Sequence, residues 1–273
     1  MDVIKEKVAQ AISVLQELDI DMWLLFGRET AEMGDPSLKL ISPADVVWQT
    51  AFMFSRGGDR IVIAGFFDAE IFRRSGLYSE VIGYHEGFAA DLRRVLARVD
   101  PRQIALNYSV SSHAADGLAH GMYLTLVECL TGTPFAERFI SAEGIVARVR
   151  GRKSAAEVAR LRAAIAVTER MFDQLTAAIT PGWTERQIAA EIMRSCDALR
   201  LAPAWDPQSC PVVNAGPNAD TGHAGPTDQA LERGHVLHID FGVRKDGYCS
   251  DLQRVWYARR RGERRPPPPV QRA

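Results

Sequence analysis

Residues 234–257 read GHVLHIDFGVRKDGYCSDLQRVWY, and this stretch decides how the chain is understood. Two β-prone runs flank Arg244-Lys-Asp-Gly247, whose Asp-Gly dipeptide is a strong hairpin signal. Alternation along the first run sends Leu237, Ile239 and Phe241 to one side and His238, Asp240 and Gly242 to the other. A turn centred on Lys245-Asp246 sets Asp240 directly opposite Asp251. A turn centred on Asp246-Gly247 moves Asp251 to the diagonal. Parity is the same in both registers, so both carboxylates share one face, with Cβ atoms about 5 Å apart when opposite or about 7–8 Å on the diagonal. Only an inserted bulge residue would separate them.

Two carboxylates on the polar face of an otherwise apolar hairpin repel, and each costs several kcal/mol, in order of magnitude, if buried without a partner. A pair of divalent cations would relieve that repulsion, as in two-metal hydrolases, where the ions sit about 3.5–4 Å apart. Two plainer arrangements serve equally on spacing alone: both carboxylates face water, or Arg254 pairs with Asp251. Cys249 shares the parity of Asp251 and is a candidate for the same face, but no neighbouring base marks it as a nucleophile.

Around this segment the chain has the profile of a folded globular protein: 273 residues, 47% hydrophobic and 25% charged. A formal net charge of -1 gives no overall pull toward nucleic acid or anionic membrane, so neither partner is expected. The four cysteines are widely separated and form no Cys-x-x-Cys pair, which speaks against a zinc knuckle or disulfide framework and for a reducing, cytoplasmic setting. The first 21 residues mix charged with apolar positions at helical spacing, unlike a signal peptide, and no run of apolar residues is long enough for a membrane span. Arg264-Arg-Pro-Pro-Pro-Pro269 reads as a solvated, polyproline-like segment.

The first half alternates helix and strand. The spacing predicts helices over 3–18, 88–99 and 114–130, and short apolar strands over 22–26, 60–64 and 104–108, an α/β layer arrangement. Capping boxes at Ser154-x-x-Glu157 and Thr184-x-x-Gln187 open two further helices, over 155–179 and from 184 to about 201. Prolines and glycines then take over, so an α/β domain over 1–145 and an α+β domain over 146–273 are expected.

The order Asn214, His223, Gly234, Asp240-Phe-Gly242, Gly247-Tyr248, Asp251, Arg254 resembles the creatinase/aminopeptidase family of pita-bread metallopeptidases (M24-type), in its Xaa-Pro aminopeptidase or prolidase-like branch. Leu106-Asn-Tyr-Ser109 and Asp116-Gly-Leu-Ala-His-Gly-Met-Tyr123 resemble the creatinase-type domain that precedes the catalytic domain there. The resemblance implies an N-terminal creatinase-like α/β domain and an α+β pita-bread domain. It implies Asp240 as a bidentate metal ligand, Asp251 as a bridging one, and His223 on the substrate side, contacting the scissile carbonyl or shuttling a proton. It further implies two divalent ions (Mn2+ or Co2+, with Zn2+ the other candidate), a metal-bridging water as nucleophile, a peptide substrate with proline in second place, and a homodimer.

The family pattern requires five ligands, the last three being a His and two Glu further along. After His238 there is no His, and the only Glu is Glu263. The pita-bread domain is therefore expected to be incomplete, and the chain to be a C-terminally truncated product that is inactive alone. A creatinase-like C–N hydrolase and a non-catalytic binding or dimerisation protein are the alternatives. His235 and His238 are expected to be strand-packing or exposed, and His85, His113 and His120 structural.

Overall fold

The computed structural model describes residues 2–30, 34–219 and 224–271. The chain divides into two compact units, Met1–Ser154 and Ala155–Ala273. The division falls beyond the 145/146 expected from sequence, because helix Glu143–Gly151 buries Ile145, Val146 and Val149 in the core of the first unit.

In the first unit, helix α1 (Asp2–Leu18) leads into strand β1 (Met22–Gly27). A short helix α2 (Leu38–Ile41), strands β2 (Thr50–Ser55) and β3 (Arg60–Gly65), helix α3 (Phe66–Ser75) and strand β4 (Glu80–Tyr84) follow. Helix α4 (Ala89–Val99), strand β5 (Ile104–Leu106), helix α5 (His120–Cys129), strand β6 (Phe139–Ser141) and helix α6 (Glu143–Gly151) complete it. The strands form one mixed sheet in the order β4-β3-β2-β1-β5-β6. Period-two alternation splits its buried residues between two layers. Trp23, Leu25, Phe52 and Phe54 pack with Val14, Leu15 and Val146, whereas Leu24, Met53, Ile61 and Ile63 pack with Leu92, Val95 and Leu126.

Two sequence expectations change here. The strand foreseen over 104–108 ends at Leu106, because the side chain of Asn107 bridges the interior: it accepts from Trp23 Nε1 at 2.7 Å and donates to Asp35 Oδ2 at 2.8 Å. The helix foreseen over 114–130 is a 3-10 turn at His113–Ala115 and then α5 alone. Gly117 lies against Asp35, and a Cβ there would fall 2.4 Å from the Asp35 carboxyl carbon, so the chain passes this point as glycine and outside a helix.

In the second unit, helices α7 (Ala155–Ala178) and α8 (Glu185–Leu199) precede strands β7 (Ala202–Pro203), β8 (Val212–Ala215), β9 (Val236–Phe241), β10 (Val243–Lys245), β11 (Tyr248–Cys249) and β12 (Leu252–Tyr257). Thr184 caps α8 through both bonds of the capping box. The strands form two small sheets, β12-β9-β8 and β11-β10-β7. Leu237, Ile239 and Phe241 are fully buried against Met171, Phe172, Ile188 and Ile192 of the two helices. Each such side chain contributes about 1.5–3 kcal/mol by burial, enough to hold the strand's faces against a one-residue slip.

The hairpin turns on Asp246-Gly247, with φ of 50° and 80°, the positive angles a two-residue turn of this kind requires. Arg244↔Cys249 and Gln253↔Asp240 keep one register on both sides of the crossing between the sheets. At that crossing the Ser250 carbonyl is turned onto Gly242, and a Cβ built on Gly242 would lie 1.8 Å from that oxygen. Only glycine fits. Gly242→Ala is therefore expected to destabilise the chain by about 3 kcal/mol or more through overpacking against backbone, read as a lowered urea midpoint.

Candidate metal centre

The register sets Asp240 opposite Gln253 and leaves Gly242 facing Asp251, so the two carboxylates stand diagonally on the polar face of β9 and β12. The structure brings Asp240 and Asp251 together. They are close enough for the charge of one to act on the other. Burial first, and the Asp251 carboxylate second, push the Asp240 carboxyl above its ordinary range, against a smaller opposing effect from the Gln253 amide. Gln253 Nε2 donates to Asp240 Oδ2 at 3.2 Å, while Asp240 Oδ1 is buried and takes no hydrogen bond among the described residues.

Arg254 does not neutralise the pair. Its guanidinium faces helix α7, 3.7 Å from Glu169 and 5.7 Å from the centre of the Phe172 ring, on the side of Ile239 and Leu237. Cys249 is likewise engaged elsewhere, its thiol donating to the Ala204 carbonyl at 3.4 Å. His223 lies outside the described residues. His235 accepts from the Glu232 amide at 3.3 Å, in the turn before β9.

His238, expected only to pack or face solvent, joins the site through hydrogen bonds. Its Nδ1 meets Asn214 Oδ1 at 3.3 Å and its Nε2 meets Gln253 Oε1 at 3.4 Å. Asn214, His238, Gln253 and Asp240 thus form one polar line across three strands. The signal was in the sequence, since His238 has the parity of Asp240.

A carboxylate pair with a buried oxygen that, among the described residues, has neither a donor nor a cationic side chain opposite it fits a hard or borderline divalent ion. It would supply only part of a coordination sphere: among the described residues, no group of three or more His, Cys, Asp and Glu is placed to hold a metal.

Comparison with known proteins places this unit. Residues 159–273 match metallopeptidase family M24. The match covers nearly the whole second unit, called the M24 unit below. A probable Xaa-Pro aminopeptidase of Verticillium alfalfae is 36% identical over 103 residues, 38% of this chain and 18% of that protein. A putative dipeptidase of Bacillus subtilis is 26% identical over 184 residues, 67% of this chain and 48% of the other. The chain thus spans less than half the length of these curated relatives. Among solved structures, the Xaa-Pro dipeptidase from Bacillus anthracis superposes with a TM-score of 0.69 at 19% identity, covering 98% of this chain and 68% of the other. The dipeptidase PepE from Mycobacterium ulcerans gives 0.66 at 22%, covering 99% and 67%. The fold is therefore that of the pita-bread peptidases, with a mixed α/β unit ahead of the M24 unit.

One buried acid of the M24 unit escaped the sequence reading. Glu185, 1% exposed, follows the cap residue Thr184 at the start of α8. Its carboxylate accepts from the Ala215 amide at 2.8 Å and from the Thr227 amide and hydroxyl at 2.9 and 2.6 Å. It thereby ties the end of β8 to Thr227, across the intervening loop. A glutamate at the first position of a capped helix reads as an ordinary dipole partner, so nothing local in the sequence separates this role from a surface one.

Two outcomes are expected. Glu185→Ala strands three donors and should cost about 3 kcal/mol, measured by chemical denaturation. Asp240→Asn should raise the thermal midpoint of the metal-free chain near neutral pH. The folded state holds the Asp240 proton more tightly than the unfolded chain, so wild-type stability falls as pH rises through and above the ordinary aspartate value of 3.8. The variant should lack that part of the decline, compared in chelator across about pH 4 to 7.

Proposed function

We propose that the M24 unit of this chain carries two ligands of a dinuclear divalent-metal site in a peptidase that cleaves next to proline, of Xaa-Pro aminopeptidase or dipeptidase type. The observation that carries the reading is the Asp240–Asp251 pair, set on one polar face with one buried oxygen left undonated among the described residues. The branch of the family rests on the names of the relatives. Asp240 and Asp251 would hold the metal. When bound, it would supply Lewis acidity for peptide hydrolysis.

The chain's own residues prepare that site. Gln253 fixes one oxygen of Asp240 by donating to it, which leaves the other oxygen to a metal ion. With its proton on Nε2, His238 donates to the Gln253 amide oxygen in turn, so the amide presents its NH2 to Asp240. His223, assigned by resemblance alone, would hold a proton on the substrate side. Manganese or cobalt suits a carboxylate-rich donor set, with zinc the other candidate. A peptide with proline in second place is the proposed substrate, and a homodimer in a reducing cytosol the proposed state. With two carboxylates only, the 273-residue chain is proposed to be inactive by itself, because affinity and geometry depend on ligand number.

Manganese binding followed by the paramagnetic signal of free Mn2+ tests the reading without relying on turnover. Wild type should bind, and Asp240→Asn and Asp251→Asn should each weaken binding by at least about tenfold. Equal binding by wild type and both variants would remove the two aspartates from the site. Robust cleavage of a proline peptide by this chain with added Mn2+, abolished in Asp240→Ala, would show instead that the two aspartates suffice.

A further inference from the structure

The M24 unit buries a hydroxyl pair that the proposed chemistry does not use. Thr168, in the middle of α7, and Ser250, immediately before Asp251, are 0% and 2% exposed, and their hydroxyl oxygens are 2.7 Å apart. In a regular antiparallel ladder the Val243 amide would donate to the Ser250 carbonyl. Here the Val243 amide donates to Ser250 Oγ at 2.9 Å, while the Ser250 amide keeps its ordinary bond to the Val243 carbonyl at 3.0 Å. The displaced Ser250 carbonyl is the one turned onto Gly242.

Ser250 Oγ has one proton and three neighbours, namely the Val243 amide, the Val243 carbonyl at 3.3 Å and Thr168. Thr168 Oγ1 is also 3.3 Å from the Ala164 carbonyl one turn back. Two proton arrangements satisfy every group. Either Thr168 donates to Ala164 and receives from Ser250, or Thr168 donates to Ser250, which donates to the Val243 carbonyl. Both use the Thr168 hydroxyl. Without it, Ser250 Oγ keeps only its bonds to Val243 and loses its one tie to α7, so the rotamer that turns the Ser250 carbonyl onto Gly242, and with it the peptide that carries Asp251, is held less firmly. Asp251 is exposed, and on its other side only the ladder from Leu252 onward restrains it. Its position relative to Asp240 therefore depends on the Ser250 side.

We propose that Thr168 and Ser250 are positioning residues of the metal centre: the hydroxyl pair holds the ribbon in the conformation that sets the spacing of the Asp240 and Asp251 carboxylates. The inference rests on the reading of those two aspartates as metal ligands. It makes α7, which supplies no ligand of its own, a determinant of metal affinity.

The test is Mn2+ affinity of the full chain, with thermal unfolding recorded on the same samples. Thr168→Val keeps the shape and removes the hydroxyl; it should weaken Mn2+ binding about tenfold, in the range seen when supports of metal ligands are removed. Thr168→Ser restores a hydroxyl and should return affinity to within about twofold of wild type, even where its lost methyl lowers the unfolding temperature. Should Thr168→Val fail to fold, Thr168→Ala removes the same hydroxyl without strain and carries the same expectation. A Thr168→Val chain that is less stable yet binds Mn2+ as wild type does would overturn the positioning role while leaving the aspartate site intact. Wild type that binds no Mn2+ would overturn both readings together.

Discussion

Two like charges held on one face of a two-stranded ribbon are a standing strain, and much of the second unit is arranged around it. The apolar side of β9 fixes which residues can point to the polar side, because slipping the register by one would expose Leu237, Ile239 and Phe241 and bury His238 and Asp240. That cost far exceeds the repulsion between two partly solvated carboxylates, so the hydrophobic face dictates and the acids comply. The strain remains local, showing itself as a raised Asp240 and an oxygen with no donor.

Parity makes this legible in the sequence: the hairpin and its alternation put both acids on one face in either of the two registers open to the turn. The structure selects Asp246-Gly247, and the pairing is the diagonal one. The same argument, carried three residues further, would have excluded an Arg254–Asp251 pair, since Arg254 has the parity of Leu252 and Trp256 and so faces α7. What the sequence did not disclose is set by contacts distant in the chain. Strand β2, Thr50–Ser55, is an unbroken apolar run that reads as helix or strand alike, and only its place between β1 and β3 makes it a strand. The break ahead of α5 is imposed by Asp35, some eighty positions earlier, pressing on Gly117. Glu185 was hidden for the same reason, its partners at 215 and 227 being unknowable from the helix that carries it.

The comparisons divide along the same line. The family match is confined to 159–273, where chemistry restricts residue identity. Likeness to solved structures extends over nearly the whole chain at about a fifth identity, because the first unit asks only for apolar residues in the right alternation, and many sequences supply that. A family match within the second unit and structural similarity spread over both units are what a fold with one chemically constrained part should give.

The buried polar groups of the second unit support the same conclusion. Glu157, Thr168, Glu185 and Ser250 are each 2% exposed or less. Glu157 accepts from the Tyr248 hydroxyl at 3.0 Å, the hydroxyl pair bonds across to the ribbon, and Glu185 closes the loop that follows β8. Each thus connects one of the helices to the hairpin or to the strand beside it, and each is satisfied, as interior polar groups generally are. Among the described residues, the buried side-chain atoms left without a partner are Ser37 Oγ in the first unit and Asp240 Oδ1 in the second. The unit satisfies its buried Glu157 and Glu185 with protein donors, yet among the described residues it leaves one oxygen of Asp240 open beside a second carboxylate, as the proposed metal site requires. A cation there would also turn the repulsion between the two acids into attraction.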